Sequence, residues 1–370
     1  MTHSRRTVGL GAVAGVTGLG AAPAPDRKLR MADRPEDYKA LGISQEIRVS
    51  EDGRRTESRP ENFEWWYFDG LLDDGSVVVI WFGDNWFYGT HKRAISIEVT
   101  APGGQPQRIM KTFDEPGAFA RDRADVRIGP HRFEGDLKTY SIHVDAAQFD
   151  GMGCDLVLRR RVASYRPGTG HMMAGDRFFA WFVAVPEGAV SGDLTIGGVT
   201  RKVSGSGYHD HNWGNVSPRD LFEGWWWGRG HSGGNTMIAS ELYGRPDVGG
   251  TNIALMYVGD EASVKVNAFG EAVTASEGPR IRHPDPKHTR PIAGSISFAT
   301  QAGDRVEFRA SDRLLTSANL LDRAPAITRF LGRLIGMKPW YTRFKSKASL
   351  TLRGQPAGEG EGTLERFEFK

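Results

Sequence analysis

Two short segments concentrate the side chains able to do chemistry. The first, Phe63-Glu64-Trp65-Trp66-Tyr67-Phe68-Asp69, leads through a four-residue turn into a hydrophobic run, Val77 to Phe82. On an extended strand Phe63, Trp65, Tyr67 and Asp69 share one face, and Glu64, Trp66 and Phe68 share the other. Both faces are aromatic, so the strand is expected to be buried on both sides, with Glu64 in a low dielectric that raises its affinity for a proton. Such a carboxyl is either a general acid or the partner of an arginine or backbone amide in a core strand.

The second segment runs Gly205-Ser206-Gly207-Tyr208-His209-Asp210-His211-Asn212-Trp213-Gly214, followed by Phe222-Glu223-Gly224-Trp225-Trp226-Trp227-Gly228-Arg229. His209 and His211 point the same way on a strand, with Asp210 opposed. His-x-His is the metal-ligand spacing of cupins, but residues 214 to 217 are Gly, Asn, Val and Ser and offer no acidic ligand. No metal is therefore expected. The pair reads as a cofactor-free polar cluster in an aromatic pocket, or as structural hydrogen bonding. Strict alternation puts Glu223 on one face with Trp225 and Trp227, a second carboxyl beside indoles.

Other chemistries find no support. No glycine-rich loop follows a strand and opens a helix, which removes the Rossmann and P-loop readings. Ser204-Gly205-Ser206-Gly207 precedes a strand, not the helix of a nucleophile elbow. Cys154, the single cysteine, excludes an intramolecular disulfide and multi-cysteine metal sites, and it reads as a structural thiol leading into a strand. With 48 basic and 45 acidic residues the net charge is +3, too small a field to hold nucleic acid. No run of 18 apolar residues predicts a membrane-spanning helix.

The elements that position these residues are short and alternating. Tyr140 to Val144, Asp155 to Val162, Ile253 to Val258, Gly294 to Phe298, Arg305 to Phe308 and Ser349 to Leu352 each show period two with one apolar face. That pattern predicts half-buried antiparallel strands. Turns stand between them at Asp73-Asp74-Gly75-Ser76, Ala101-Pro102-Gly103-Gly104, Gly197-Gly198 and Gly259-Asp260. The one helical candidate of the mature region is Ala324 to Ile335, packed on a barrel or offering a basic contact. Many strands and few helices predict an all-β protein of two antiparallel barrels. The boundary is expected near 191–207, where glycines cluster, giving domains 31–200 and 201–370. Each half opens with an acidic residue and paired tryptophans, Glu64-Trp65-Trp66 and Glu223-Gly224-Trp225-Trp226-Trp227.

At the amino terminus Ser4-Arg5-Arg6-Thr7 precedes a weakly hydrophobic run, Val8 to Leu19, and then Ala22-Pro23-Ala24. This reads as a twin-arginine export signal; translation from Met31 would instead give a cytoplasmic protein. Residues 1 to about 30 are expected to lie outside the fold.

EWWYFDG at 64–70, and GYHDHNWG at 207–214 with EGWWWGR at 223–229, resemble the carotenoid hydratase (hydroxyneurosporene synthase) family. That group is similar to the fungal decalin-forming Diels–Alderases. The resemblance covers about residues 45 to 370. It implies two lipocalin-like β-barrels, no metal, no organic cofactor, and a deep apolar pocket at or near the domain interface for a hydrophobic small molecule. Carried over residue by residue, it implies Glu64, Trp65, Tyr67, His211 and Trp213 as pocket residues. In the hydratases the strand after the tryptophan-rich segment is expected to carry a Tyr-x-Asp whose Asp protonates an isoprenoid double bond. Here that strand reads Thr236-Met237-Ile238-Ala239-Ser240-Glu241-Leu242-Tyr243, with only Glu241 and Tyr243 nearby. The leading expectation is therefore a cofactor-independent cyclase of the Diels–Alderase type acting on a linear polyene or polyketide-derived substrate. Glu64, Tyr67, His211 and Glu241 are its candidate catalytic groups. Trp65, Trp66, His209, Trp213, Glu223, Trp225, Trp227 and Tyr243 are its candidate substrate contacts. A hydratase or cation-type cyclase of an isoprenoid, and a non-catalytic carrier of a hydrophobic ligand, are the alternatives.

Overall fold

Alternating side chains build two large antiparallel sheets, beside a two-stranded pair of Arg280–Ile281 with Ile292–Ala293, in the computed structural model, which describes residues 27–87, 90–319 and 339–369. The main path of the first sheet runs Gln107–Phe113, Thr90–Thr100, Val77–Phe87, Phe63–Leu72, Val199–Gly214, Arg177–Ile196, Gly153–Arg160, Thr139–Val144, His131–Gly135, Ala124–Ile128 and Ala118–Phe119. The second runs Val264–Phe269, Ile253–Gly259, Asn235–Gly244, Phe222–Ser232, Gln355–Glu368, Trp340–Leu352, Arg305–Asn319, Ser295–Ala299 and Thr274–Glu277. Each is a curled half-barrel, and the fold is the all-β, lipocalin-like pair that period two predicts. In both sheets the opening strand pairs with the closing one: Phe63–Leu72 with Val199–Gly214, and Phe222–Ser232 with Gln355–Glu368. The two tryptophan-rich segments thus occupy equivalent places in sheets of shared topology. The helical candidate Ala324 to Ile335 lies outside the described residues.

Apolar side chains collect in three clusters. One fills the first half-barrel with Trp66, Phe68, Ile80, Phe82, Phe133 and Leu158 among others. Another fills the second with Trp226, Met256, Phe298, Phe308 and Phe344. The third lies between the sheets and takes Phe63, Phe179, Trp181 and Tyr208 from the first and Phe222, Trp227, Ile238 and Leu255 from the second. The strand Phe63–Leu72 therefore feeds the barrel interior with one face and the inter-sheet layer with the other, as its doubly aromatic pattern requires. Cys154 is buried in the first barrel, and burial pushes its thiol up, which suits a structural role.

Two features depart from the sequence reading. The glycine cluster at 191–207 is not a linker. It sits in the hairpin Arg177–Ile196/Val199–Gly214, and the chain changes sheets later, between Gly214 and Phe222. Gly205 is there for close approach, since a Cβ on it would lie 2.3 Å from the Leu71 carbonyl oxygen. Gly197 and Gly198, with φ of 58° and 79°, form the turn itself. The second departure is at the amino terminus, where packing begins before Met31. Leu29 and Met31 are buried, Arg30–Met31 pairs with His171–Ala174 of the first sheet, and the Leu29 N–H donates to the Val248 carbonyl in a turn of the second (2.8 Å).

Candidate active site between the sheets

The singled-out residues divide among three places. Trp65, Tyr67, Trp225 and Trp227 meet on the inter-sheet face. Glu64, Trp66, His209, His211 and Trp213 lie inside the first half-barrel, and Glu241 and Tyr243 belong to strand Asn235–Gly244 of the second sheet. Alternation alone makes this division: 65 and 67 turn outward where 64 and 66 turn inward.

Inside the first half-barrel, Glu64 accepts four hydrogen bonds. The Arg55 and Thr56 N–H groups donate at 2.6 and 2.9 Å, the Thr56 hydroxyl at 2.6 Å, and His211 Nε2 stands 2.9 Å away. His211 is stacked between Trp66 and Trp213, with ring centroids 4.5 and 4.8 Å away. His209 Nδ1 meets the Tyr67 carbonyl at 2.8 Å, so it donates there, and its Nε2 faces Asp52 Oδ2 at 3.0 Å. Burial alone would lower the His209 pKa, but Asp52 and the carbonyl hold it above the ordinary imidazole value. Tyr140 donates to the same Asp52 oxygen at 2.5 Å, and Trp66 Nε1 donates to the Asp52 carbonyl at 2.9 Å. The network pins the segment 49–56 into the barrel mouth. Most of its polar groups are spent on one another, and Asp52 Oδ1 and His211 Nδ1 face each other at 3.5 Å. We expect Glu64→Gln to lower stability by about 1–3 kcal/mol, because an amide cannot accept from all four donors. Thermal melting checks this, and turnover per folded molecule should change less than about threefold. Unchanged melting with lost turnover would restore Glu64 as the acid.

Two corrections concern the second sheet. A register shift between Phe222 and Gly224 breaks the alternation, so Phe222, not Glu223, joins Trp225 and Trp227 in the inter-sheet cluster. Glu241 accepts from Asn252 Nδ2 at 3.1 Å at an exposed position, and Tyr243 donates to Glu277 at 3.1 Å, beside Trp226. Burial raises the Tyr243 phenol. These two stand apart from the inter-sheet aromatics.

Between the sheets lies chemistry that the sequence reading passed over. Asp210 Oδ2 accepts from Trp181 Nε1 (2.8 Å) and the Tyr208 hydroxyl (2.7 Å), and Oδ1 accepts from Asn212 Nδ2 (2.9 Å). All three donors are neutral. Burial pushes the Asp210 carboxyl up to about 6 against their pull, so it carries a proton over much of the mildly acidic range. On the second sheet, burial pushes Glu365 up to about 7, opposed by Arg343 and Tyr341, and Asp210 lies within its electrostatic reach. Asp69 is placed differently. It accepts from Arg229 and from Arg343 (2.7 Å), and Tyr67, itself a partner of Arg343 at 2.9 Å, donates to it at 3.3 Å. Both arginines come from the second sheet, so Asp69 is the counter-ion that joins the halves. Trp65, Tyr67 and Trp225 are only partly buried here, and Trp225 stacks on Phe367 at 4.4 Å.

One signal could have found this site. Tyr208-His209-Asp210 is a Tyr-x-Asp, the spacing looked for two strands later and hidden by the histidines interleaved with it. Asp69 and Arg229 follow from alternation with Trp65 and Trp227. Arg343 and Glu365 had no local signal, because they arrive on distant strands through cross-strand register. Among the described residues no group of three or more His, Cys, Asp or Glu is placed to hold a metal ion.

No family model matches the sequence. The chain is 32% identical over 209 residues to the quinolone epoxide rearrangement protein penF of Penicillium thymicola, covering 48% of this chain and 54% of that protein. It is 28% identical over 209 residues to a hydroxyneurosporene dehydrogenase of Chlorobaculum tepidum, covering 46% and 54%. The chain thus spans about half the length of the curated relatives it matches. Among solved structures, CghA superposes with a TM-score of 0.57 at 14% identity over 84% of this chain and 89% of that one. Kievitone hydratase of Nectria haematococca gives 0.56 at 12% over 93% and 97%. At such identities the likeness is one of fold.

Proposed function

We propose, for a chain of the carotenoid hydratase-like and fungal cyclase family, that the inter-sheet layer protonates a hydrophobic alkene or epoxide and steers the resulting cation. Asp210 is the donor. The observation that carries this reading is a buried carboxyl held by neutral partners only, with a pKa of about 6, against a wall of indoles. Its proton passes to an alkene carbon or to an epoxide oxygen. The carboxylate left behind keeps the Trp181, Tyr208 and Asn212 hydrogen bonds, which cost no reorganisation when the charge appears. Trp65, Trp225 and Trp227 supply flat, electron-rich faces for a cation. Attacking water or a neighbouring carbon then gives a proton back to the Asp210 carboxylate, which closes the cycle. No cofactor is assigned.

This places acid chemistry ahead of the pericyclic closure to which the sequence pointed, because the reason for preferring closure was a missing Tyr-x-Asp. Turnover in deuterium oxide, with neurosporene as the alkene probe and an aryl epoxide beside it, tests the proposal. One carbon-bound deuterium in the alkene product, absent with Asp210→Asn, is expected. Conversion of a linear polyene to a deuterium-free ring at a rate indifferent to Asp210→Asn would favour cycloaddition instead.

A further inference from the structure

Buried polar groups normally find partners, because each unpaired one costs about 1–3 kcal/mol. Three donors in the inter-sheet layer have none, and one of these, Arg343 Nε, still faces Glu365 Oε1 at 3.3 Å as an ion pair. Arg229 is only 7% exposed, and its terminal nitrogen is committed to Asp69 while its guanidinium covers the Tyr208 ring at 5.1 Å, yet its Nε has no partner. Tyr165 is 2% exposed and packs on Trp181 and Tyr257 with centroids 5.9 and 4.5 Å away, yet its hydroxyl has no partner either. Both stand one residue from the Asp210 site: Trp181 and Tyr208, the side chains they touch, are the two that donate to Asp210 Oδ2. Two unused donors beside a proton source describe the missing half of a contact.

We infer that the natural ligand of this layer is an oxygenated hydrophobe, whose carbonyl, carboxylate or ether oxygen is received by Arg229 Nε–H and the Tyr165 hydroxyl. This rests on the reading of the inter-sheet layer as the substrate site and narrows the substrate class, with pure hydrocarbons bound less tightly. The site binds a hydrocarbon polyene through its indoles alone. It binds an oxygenated one through the indoles and two further hydrogen bonds.

The experiment compares three fluorescent probes on the full chain: cis-parinaric acid, its methyl ester, and the hydrocarbon diphenylhexatriene. Tyr165→Phe removes only the unpartnered hydroxyl, so its melting temperature should be equal to or above that of the parent. Its Kd should rise about five- to tenfold for the acid and the ester and stay level for the hydrocarbon. In nitrogen-labelled protein the Arg229 Nε–H resonance should move with the two oxygenated probes and not with diphenylhexatriene. Equal affinities in parent and Tyr165→Phe, with an unmoved Nε–H resonance, would overturn the inference and leave water as the only partner of these donors. The acid mechanism is tested separately: Asp210→Asn should keep the probe affinities, so a failure of that mechanism in turnover would not alter the binding result.

Discussion

Asp210→Asn should remove nearly all turnover, a loss of roughly 10²- to 10⁴-fold, which is the usual contribution of a positioned general acid. The amide keeps the shape of the carboxyl and can still accept from Trp181 and Tyr208, so a folded and ligand-competent protein is expected. Steady-state rates with the probe substrates measure the loss, and a decrease of less than about threefold would reject Asp210 as the donor. The pH dependence follows from the same group. With the acid titrating at about 6, the rate should be level below that value and fall about tenfold per pH unit above it. Stability moves in the same direction. The folded state holds this proton more tightly than the unfolded chain, so the contribution of Asp210 to stability falls as pH rises from about 4 to about 6. Asp210→Asn should consequently melt higher than the parent at neutral pH, by roughly 3 kcal/mol at most, and the difference should vanish near pH 4.

Asp69 carries the second large effect, on stability. Removing it by Asp69→Ala leaves the Arg229 and Arg343 guanidinium groups buried without their shared counter-ion, a situation that costs about 3–5 kcal/mol. Because both arginines belong to the second sheet and Asp69 to the first, the loss should separate two unfolding transitions where the parent shows one. Calorimetry reads this directly. Replacing the ions together, as in Asp69→Leu with Arg229→Met, should recover part of the loss, since exchanging a buried pair for apolar side chains is often close to neutral. A single Asp69→Ala that melts within about 2 °C of the parent would show that the bridge is not what holds the sheets together.

How much of this was readable in the residues differs between fold and site. The barrels were legible because period two survives in nearly every strand, and Phe63–Leu72 announces its double burial with aromatics on both faces. The site was half legible. Trp65, Tyr67, Trp225 and Trp227 share the inter-sheet layer, and alternation puts them there. Glu64 and His211 attracted attention for their chemistry, but alternation turns them inward, where they bond each other and Thr56 holds the carboxylate. Asp52 could not be anticipated, since it arrives on a short irregular segment whose position depends on the barrel mouth. Glu223 failed for a local reason, the bulge at Gly224, which no periodic rule foresees. Glu365 and Arg343 sit directly opposite each other only after two long strands pair in register. The glycine-rich stretch misled because close strand contact and a flexible linker draw on the same residue.

The strand formed by Arg30 and Met31 bears on how the polypeptide could be matured. Leader removal after Ala24 would leave Pro25 to Met31 attached, and with them the Leu29 bond to Val248 and the pairing with Met172 and Met173. Initiation at Met31 would delete Leu29 and Arg30, and with Arg30 its bidentate contact with Asp37. The two biogenesis routes are therefore unequal in what they deliver. A protein begun at Met31 should melt lower than one that keeps Leu29 and Arg30, and be cut more readily by protease near the turn at Val248. The stitch that this segment makes across both sheets would then act as a quality mark of correct processing, present only when the amino terminus is set ahead of Leu29.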